Sequence, residues 1–180
     1  PENRVFAASL EPRGCYAEWD GHKLHVAVNA QGVWVPKDQL KEAFGRTDEQ
    51  VRVTNPDVGG GFGMKAMVYP ETLVVAQAAR SLGRAVRWMS ERTEALLSDH
   101  GARDLQSTAE MAFDDTLKAT AYRVISCNNL GAYNSQFGQI IQTNLFSRVL
   151  MGVYDVQNVW MNTLGIYTNT TQVDAYRGAG

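Results

Sequence analysis

Val58-Gly59-Gly60-Gly61-Phe62-Gly63-Met64-Lys65 sets the terms for the rest of the chain. Four of the six residues from Gly59 to Met64 lack a side chain. A β-branched run, Val51-Arg52-Val53-Thr54, comes before the loop, and a helix-like run from about Tyr69 to Leu82 comes after it. A strand, a glycine loop and a helix in that order can bring bare backbone N–H groups up to an anionic ligand. Phe62 is the one large apolar ring among the glycines, placed to point into whatever the loop faces. A plain turn needs only one or two glycines, and each costs backbone entropy on folding. A purely structural turn remains an alternative.

Two common loops can be compared residue by residue. A Walker phosphate loop ends in Gly-Lys-Ser/Thr, whereas this one ends Gly63-Met64-Lys65-Ala66, without the magnesium-binding hydroxyl or the glycine before the lysine. The dinucleotide pattern fails from Gly59, because its last position is Met64. It matches only in relaxed form, at Gly61, Gly63 and Ala66. The helix should then open inside the motif, but Pro70 places its first turn later.

Outward from the loop, Cys15 to Trp19 and Lys23 to Asn29 read as strands joined by the Asp20-Gly21 turn. Val35 to Phe44 reads as a helix with Leu40, Ala43 and Phe44 on one face and Gly45 as its C-cap. In the helix after the loop, Val75, Ala78, Ala79 and Leu82 share a face, Gln77, Arg80 and Ser81 form a polar one, and Gly83 ends it. Strands follow at Ala85–Met89, Leu105–Phe113, Leu117–Asn128 and Val156–Tyr167. A short helix is expected at Arg92–Ser98 and a longer one at Gln139–Met151. No regular βαβ repeat appears, so the fold class is α+β, with mixed sheets and flanking helices. No linker composition divides the chain.

The composition is that of an ordinary globular protein, with 44% hydrophobic and 20% charged residues. A net charge of -2 leaves no basic footprint, which argues against nucleic acid and anionic membranes as partners. No apolar run approaches the roughly 20 residues that span a bilayer. Cys15 and Cys127 are far apart and outside any metal-ligand spacing, so they read as free thiols in a reducing, cytoplasmic setting. The chain starts at Pro1 and stops at Gly180 within a glycine-containing stretch, so residues 1–180 are expected to be a partial domain of a larger subunit, cut at both ends.

Spacing alone pairs no catalytic groups. His22 and His25 fall on opposite faces of a turn and strand. Glu11, Asp57, Glu71, Glu91, Glu94 and Asp174 are each best read as solvated or structural carboxylates. Thr168 to Gly180 is a second unusual stretch, in which Arg177 stands among small residues after a strand. Its planar fork suits oxyanions.

Taken together, the segment from Asn3 to Ala17 with its Glu-Pro-Arg-Gly, Ala30-Gln31-Gly32, the loop from Asp57 to Lys65, and Thr168 to Gly180 resemble the molybdenum-cofactor subunit of the xanthine dehydrogenase, aldehyde oxidase and carbon monoxide dehydrogenase large-chain family. The resemblance runs in order over nearly the whole chain. It implies a molybdopterin cofactor with molybdenum, in the cytosine dinucleotide form common in bacteria. It also implies partner subunits or domains carrying [2Fe–2S] clusters and FAD, and a parent assembled as a dimer of heterotrimers. Residue by residue, Gly60, Gly61, Phe62 and Gly63 would pack against the cofactor. Gln31 would hydrogen-bond a molybdenum oxygen, and Arg177 would lie beside the cofactor or substrate channel. No residue here would coordinate the metal directly.

The departures from the family pattern are informative. Copper-containing carbon monoxide dehydrogenases carry a cysteine after the arginine, where this chain has Gly178. Purine-oxidising members carry a glutamate and a phenylalanine where this chain has Ala66 and Ala179. The resemblance therefore points to a branch acting on aldehydes or N-heteroaromatic rings. The general-base glutamate of the family is expected beyond Gly180, and 1–180 alone is expected neither to hold molybdenum stoichiometrically nor to turn over. Two other readings stand beside this one. One is a non-catalytic module that holds a nucleotide or pterin on the glycine loop, and the other is an assembly piece that contacts an iron–sulfur partner.

Overall fold

The structure is a computed structural model that describes residues 5–178. Asn3, Ala179 and Gly180 of the motifs above therefore lie outside the described residues. The chain forms two compact units, residues 7–99 and residues 100–178 together with residues 5 and 6. The junction falls at Asp99 and His100, where the sequence has none of the glycine, proline or serine richness of a linker.

The first unit is built on the expected hairpin. Strands β1 (Gly14–Trp19) and β2 (Leu24–Val28) pair antiparallel with Cys15 opposite Val28 and Trp19 opposite Leu24. Asp20 closes the turn by accepting the backbone N–H groups of His22 and Lys23. β3 (Val51–Thr54) adds parallel to β2, and β4 (Val86–Met89) adds antiparallel to β1, giving the order β3-β2-β1-β4. The strand pleat puts Cys15, Ala17, Leu24, Val26 and Val28 on one face. Helices α1 (Trp34–Phe44) and α2 (Pro70–Leu82) cover that face with Leu40, Val75, Ala76 and Ala79, which form one buried cluster with the strand residues. Gly45 and Gly83 both adopt the left-handed conformation that ends each helix, as their positions in the sequence imply. A short helix, α3 (Arg92–Ser98), follows β4 with a capping box between Glu91 and Glu94.

The helix faces differ in detail from the sequence expectation. On α2 the buried stripe is centred between Val75 and Ala76, and Leu82 is 63% exposed because it lies in the last turn at the margin of the stripe. On α1, Pro36 and Leu40 are buried, Phe44 packs edge-on against Trp19, and Ala43 faces outward. Short helices bury a narrow stripe set by the sheet beneath them, which periodicity locates only to within a residue.

The second unit holds a three-stranded sheet, β5 (Leu105–Phe113), β6 (Ala119–Gly131) and β7 (Asn158–Tyr167). β5 is antiparallel and β7 parallel to the central β6. β6 starts later and runs further than expected, because Leu117 sits at φ +65° in the preceding turn and a bulge lets pairing continue to Gly131. The helix between β6 and β7 is α4 (Gly138–Ile140), a π turn (Ile141–Leu145) and α5 (Phe146–Val149), not one regular α-helix to Met151. Each sheet mixes parallel and antiparallel pairs, and the α+β class holds. Among the described residues, no helix is long and apolar enough to cross a membrane.

Candidate functional site

The glycine loop leaves β3 through Asn55, whose side chain pairs with both backbone groups of Ala30: it accepts from the Ala30 N–H at 3.1 Å and donates to the Ala30 carbonyl at 2.8 Å. This cross-link brings the segment after β2 alongside the loop, because β2 and β3 run parallel and end together. The Gln31 N–H then donates to the Lys65 carbonyl at 2.9 Å. In return, the Gly63 N–H donates to Gln31 Oε1 at 2.7 Å. A backbone N–H can meet only the acceptor end of a side-chain amide. Gln31 is thereby oriented with Oε1 toward the loop, and its Nε2 end remains to donate elsewhere. Gly61 makes room for this arrangement, since a Cβ there would lie 2.5 Å from Gln31 Oε1.

The loop backbone is unusual for its length. Gly60 and Gly63 have φ of +95° and +101°, and Phe62 between them sits at φ +54°. A left-handed conformation costs an L-residue about 1–2 kcal/mol, so the surroundings must over-determine it. The Phe62 side chain is 47% exposed, and its ring lies over Gly60, where a Cβ would meet Cε2 at 3.1 Å. Met64–Ala66 form a single 3-10 turn, with the Met64 and Ala66 N–H groups donating to Gly61 and Gly63. α2 starts only at Pro70. The loop therefore does not open onto a helix N-terminus, as the relaxed dinucleotide match at Gly61, Gly63 and Ala66 would require.

The expected amides divide into two groups. The Gly59 N–H is committed to Glu11 and the Gly63 N–H to Gln31. Those of Gly60 and Gly61 find no acceptor among the described residues. Ala66 is half-buried in the 3-10 turn and contributes a methyl group where a carboxylate would change the local charge.

Glu11, expected to be a solvated or structural carboxylate, is structural. Its Oε2 accepts from Lys65 Nζ at 2.8 Å and from the Gly59 N–H at 2.9 Å. The hydrogen bond from Lys65 lowers the Glu11 pKa below the usual carboxylate range, against the opposing effect of partial burial. Lys65 itself is buried. The visible signals were the Glu-Pro-Arg-Gly motif and the lysine closing the loop, but nothing in their spacing joined them. Arg13 of the same motif is a buried hub: it bonds Asp99 and Glu71 and lies 3.6 Å over the Tyr69 ring. The Cys15 thiol is pushed up to about 11 by burial, so it stays protonated and unreactive near neutral pH. Both rings nitrogens of His25 are engaged, by Glu18 and Thr54.

Arg177 lies in the other compact unit, exposed at the end of the segment from Thr168. Arg103 holds that segment. Its Nη2 donates to the carbonyls of Arg177 and Gly178, both at 3.2 Å, and its guanidinium lies 4.9 Å from the Tyr176 ring centre. Arg103 was not singled out by the sequence, because nothing in its local context distinguishes it from a surface arginine. Asp174 is buried, accepts from the Ala175 N–H and lies 3.6 Å from His100.

A family model described as the molybdopterin cofactor-binding domain matches residues 3–180. The chain belongs to this family of molybdenum hydroxylase large subunits. The nicotine 6-hydroxylase large subunit of Paenarthrobacter nicotinovorans is 32% identical over 98% of this domain and 22% of its own length. The carbon monoxide dehydrogenase large chain of Hydrogenophaga pseudoflava is 31% identical over 92% of the domain and 21% of its own length. The crystal structure of quinoline 2-oxidoreductase from Pseudomonas putida 86 superposes with a TM-score of 0.91 at 33% identity, covering 98% of the domain and 23% of that chain. The molybdopterin-binding domain described here thus spans less than a quarter of the length of these relatives. Two of them are named as a large subunit or large chain, and so as parts of multi-subunit assemblies.

Proposed function

We propose that this domain supplies part of the cofactor wall of an oxidoreductase that hydroxylates an electrophilic carbon, with an N-heteroaromatic ring or an aldehyde as substrate. The observation that carries the proposal is the Gly63–Gln31 contact, which fixes Oε1 and leaves the Nε2 end as a donor. A molybdenum–molybdopterin centre, when bound, supplies two-electron oxidation of carbon with oxygen taken from water. The chain's own donors suit such an acceptor-rich group. Gln31, with its Oε1 fixed by Gly63, would hold the cofactor through its Nε2 donor. The Gly60 and Gly61 amides and the Phe62 ring pack against the cofactor, and Gly63 acts through Gln31. Arg177, in the other compact unit, would serve the cofactor or the substrate channel as a fixed planar fork for oxyanions.

Substrate choice follows from what Ala66 and Ala179 lack. Neither offers a carboxylate to read a purine nor a ring to stack on one. Gly178 offers no thiolate for copper, which sets aside carbon monoxide. Nicotine and quinoline, in the names of two relatives, are both N-heteroaromatic rings. We further propose the cytosine dinucleotide form of the cofactor, electron transfer to [2Fe–2S] and FAD partners in a dimer of heterotrimers, and a cytoplasmic parent protein. The general-base glutamate belongs to a part of the parent outside residues 1–180, so residues 1–180 are a partial domain.

The test is Gln31→Ala in the full-length protein within its complex. A fall in kcat of about a hundredfold is expected from loss of one oriented donor, with molybdenum content retained. Unchanged turnover would remove Gln31 from the reacting centre. A wild-type complex with no molybdenum by metal analysis would sink the reading as a whole.

A further inference from the structure

Glu11 touches the glycine loop at both of its ends. Its Oε2 accepts from the Gly59 N–H at 2.9 Å where the loop begins and from Lys65 Nζ at 2.8 Å where it closes. The Glu11 N–H also donates to the Gly59 carbonyl at 3.2 Å, so residues 11 and 59 are joined through backbone and side chain together. The approach is close enough that a Cβ on Gly59 would fall 2.5 Å from the Glu11 Cβ. Lys65 has a side chain only 1% exposed, and Glu11 is its one carboxylate partner among the described residues. A buried ammonium is stable only when paired, so this contact cannot be traded for water without moving the loop. Between the two anchored ends lie the positive-φ residues Gly60, Phe62 and Gly63, a conformation that the loop sequence alone does not favour for Phe62.

We infer that Glu11 is a positioning residue for the cofactor site: one carboxylate oxygen, shared by Gly59 and the buried Lys65, holds the loop in the shape that leaves the Gly60 and Gly61 amides uncommitted and keeps Gly63 on Gln31. The role toward a cofactor rests on the function proposed above. The role toward the loop does not. Glu11 acts through the loop it holds, at the Gly59 backbone and the Lys65 side chain.

The experiment uses the full-length subunit in its complex, with Glu11→Gln, Lys65→Met and the double variant. Glutamine keeps the shape of Glu11 and removes its charge. The first readout is amide hydrogen exchange, followed by mass spectrometry, of the peptide containing Gly59, Gly63, Met64 and Ala66, whose N–H groups are all hydrogen-bonded. Each single variant is expected to speed exchange there by about tenfold or more, and the double variant by no more than the worse single one, since both remove the same contact. The second readout is the loaded enzyme. Molybdenum content should hold, kcat should fall at unchanged KM, and the electron paramagnetic resonance signal of the partly reduced metal should shift.

Exchange unchanged in Glu11→Gln would overturn the inference, as would additive effects in the double variant. If Glu11→Gln fails to fold, Lys65→Arg keeps the charge and is expected to exchange like wild type, while Lys65→Met does not. Equal protection in those two would also overturn it. A wild-type complex lacking molybdenum would defeat the functional reading alone, because the exchange measurement still decides whether Glu11 holds the loop.

Discussion

The glycine loop and the segment from Thr168 to Gly178 are both irregular backbone, yet they are held by different means. The loop is fixed by side chains that reach it from afar: Glu11 from 48 residues before Gly59, and Gln31 from 32 residues before Gly63. A buried charge sits at its base. The later segment is fixed mainly by backbone. Gly101 donates to the Gln172 carbonyl at 2.8 Å and accepts from the Asp174 N–H at 3.0 Å, and the Ala132 N–H bonds the Thr170 carbonyl. Gly131 and Gly138 let the chain approach so closely that a Cβ on either would lie 2.5 Å from the backbone of Gln172 or Val173. Charged side chains add to this, Arg103 onto two carbonyls and His100 beside the buried Asp174. A loop held by charge and hydrogen bonds responds to pH and to isosteric substitution. One held by backbone packing responds to volume.

That contrast can be broken most forcefully at Gly131. Its φ of +76° and the Gln172 backbone 2.5 Å from a built Cβ leave an alanine neither conformation nor room. Gly131→Ala is expected to cost about 2–5 kcal/mol from backbone strain and overpacking together, read as a fall in the urea midpoint, with exchange in the glycine loop unchanged. On the loop side, Lys65→Met removes the ammonium and leaves Glu11, which is about one-third exposed at 32%, to water and Gly59. About 1–3 kcal/mol is expected, with protection lost in residues 57–66 and retained in residues 170–174.

Arg103→Met should have a smaller effect, about 1 kcal/mol, from a pair of 3.2 Å bonds and a stacking contact at the surface. Its stronger effect should be on the position of Arg177, seen as a rise in KM. The gentlest test is acid. The Glu11 pKa is lowered in the folded state, so its contribution is fully present above the unfolded value of about 4.3 and is lost as pH falls through the folded one. Below about pH 4 the loop amides should exchange faster relative to their intrinsic rates. Glu11→Gln should abolish that pH dependence.

Local chemistry was legible where a residue's neighbours in sequence decide its conformation. The Asp20-Gly21 hairpin, the left-handed caps at Gly45 and Gly83, the strand before the loop, the helix after it and the glycine loop itself all follow from dihedral preference and short-range hydrogen bonding. The resemblance to the molybdenum-cofactor subunits was legible for the same reason, since it rests on contiguous motifs. Helix faces were less so. Val75 and Ala79 were placed correctly, but Ala76, not Ala78 or Leu82, completes the stripe, because the sheet selects the face. The regular helix expected at Gln139–Met151 gave way to a π turn, where Gly138 packs against Ser135 Oγ and the Val173 carbonyl.

The amino-acid sequence by itself determined that Gly59 to Lys65 would be a bare-backbone loop between a strand and a helix, because only glycine visits φ near +100° at low cost. It also named Gln31 and Arg177 as groups worth following. Tertiary structure alone decided which loop amides are already used, that Gln31 presents its Nε2 end, and that Glu11 and Lys65 form the buried pair at the loop's base. Those contacts join residues 32 to 54 positions apart. They depend on β2 and β3 lying parallel and in register, a pairing that spacing along the chain does not encode.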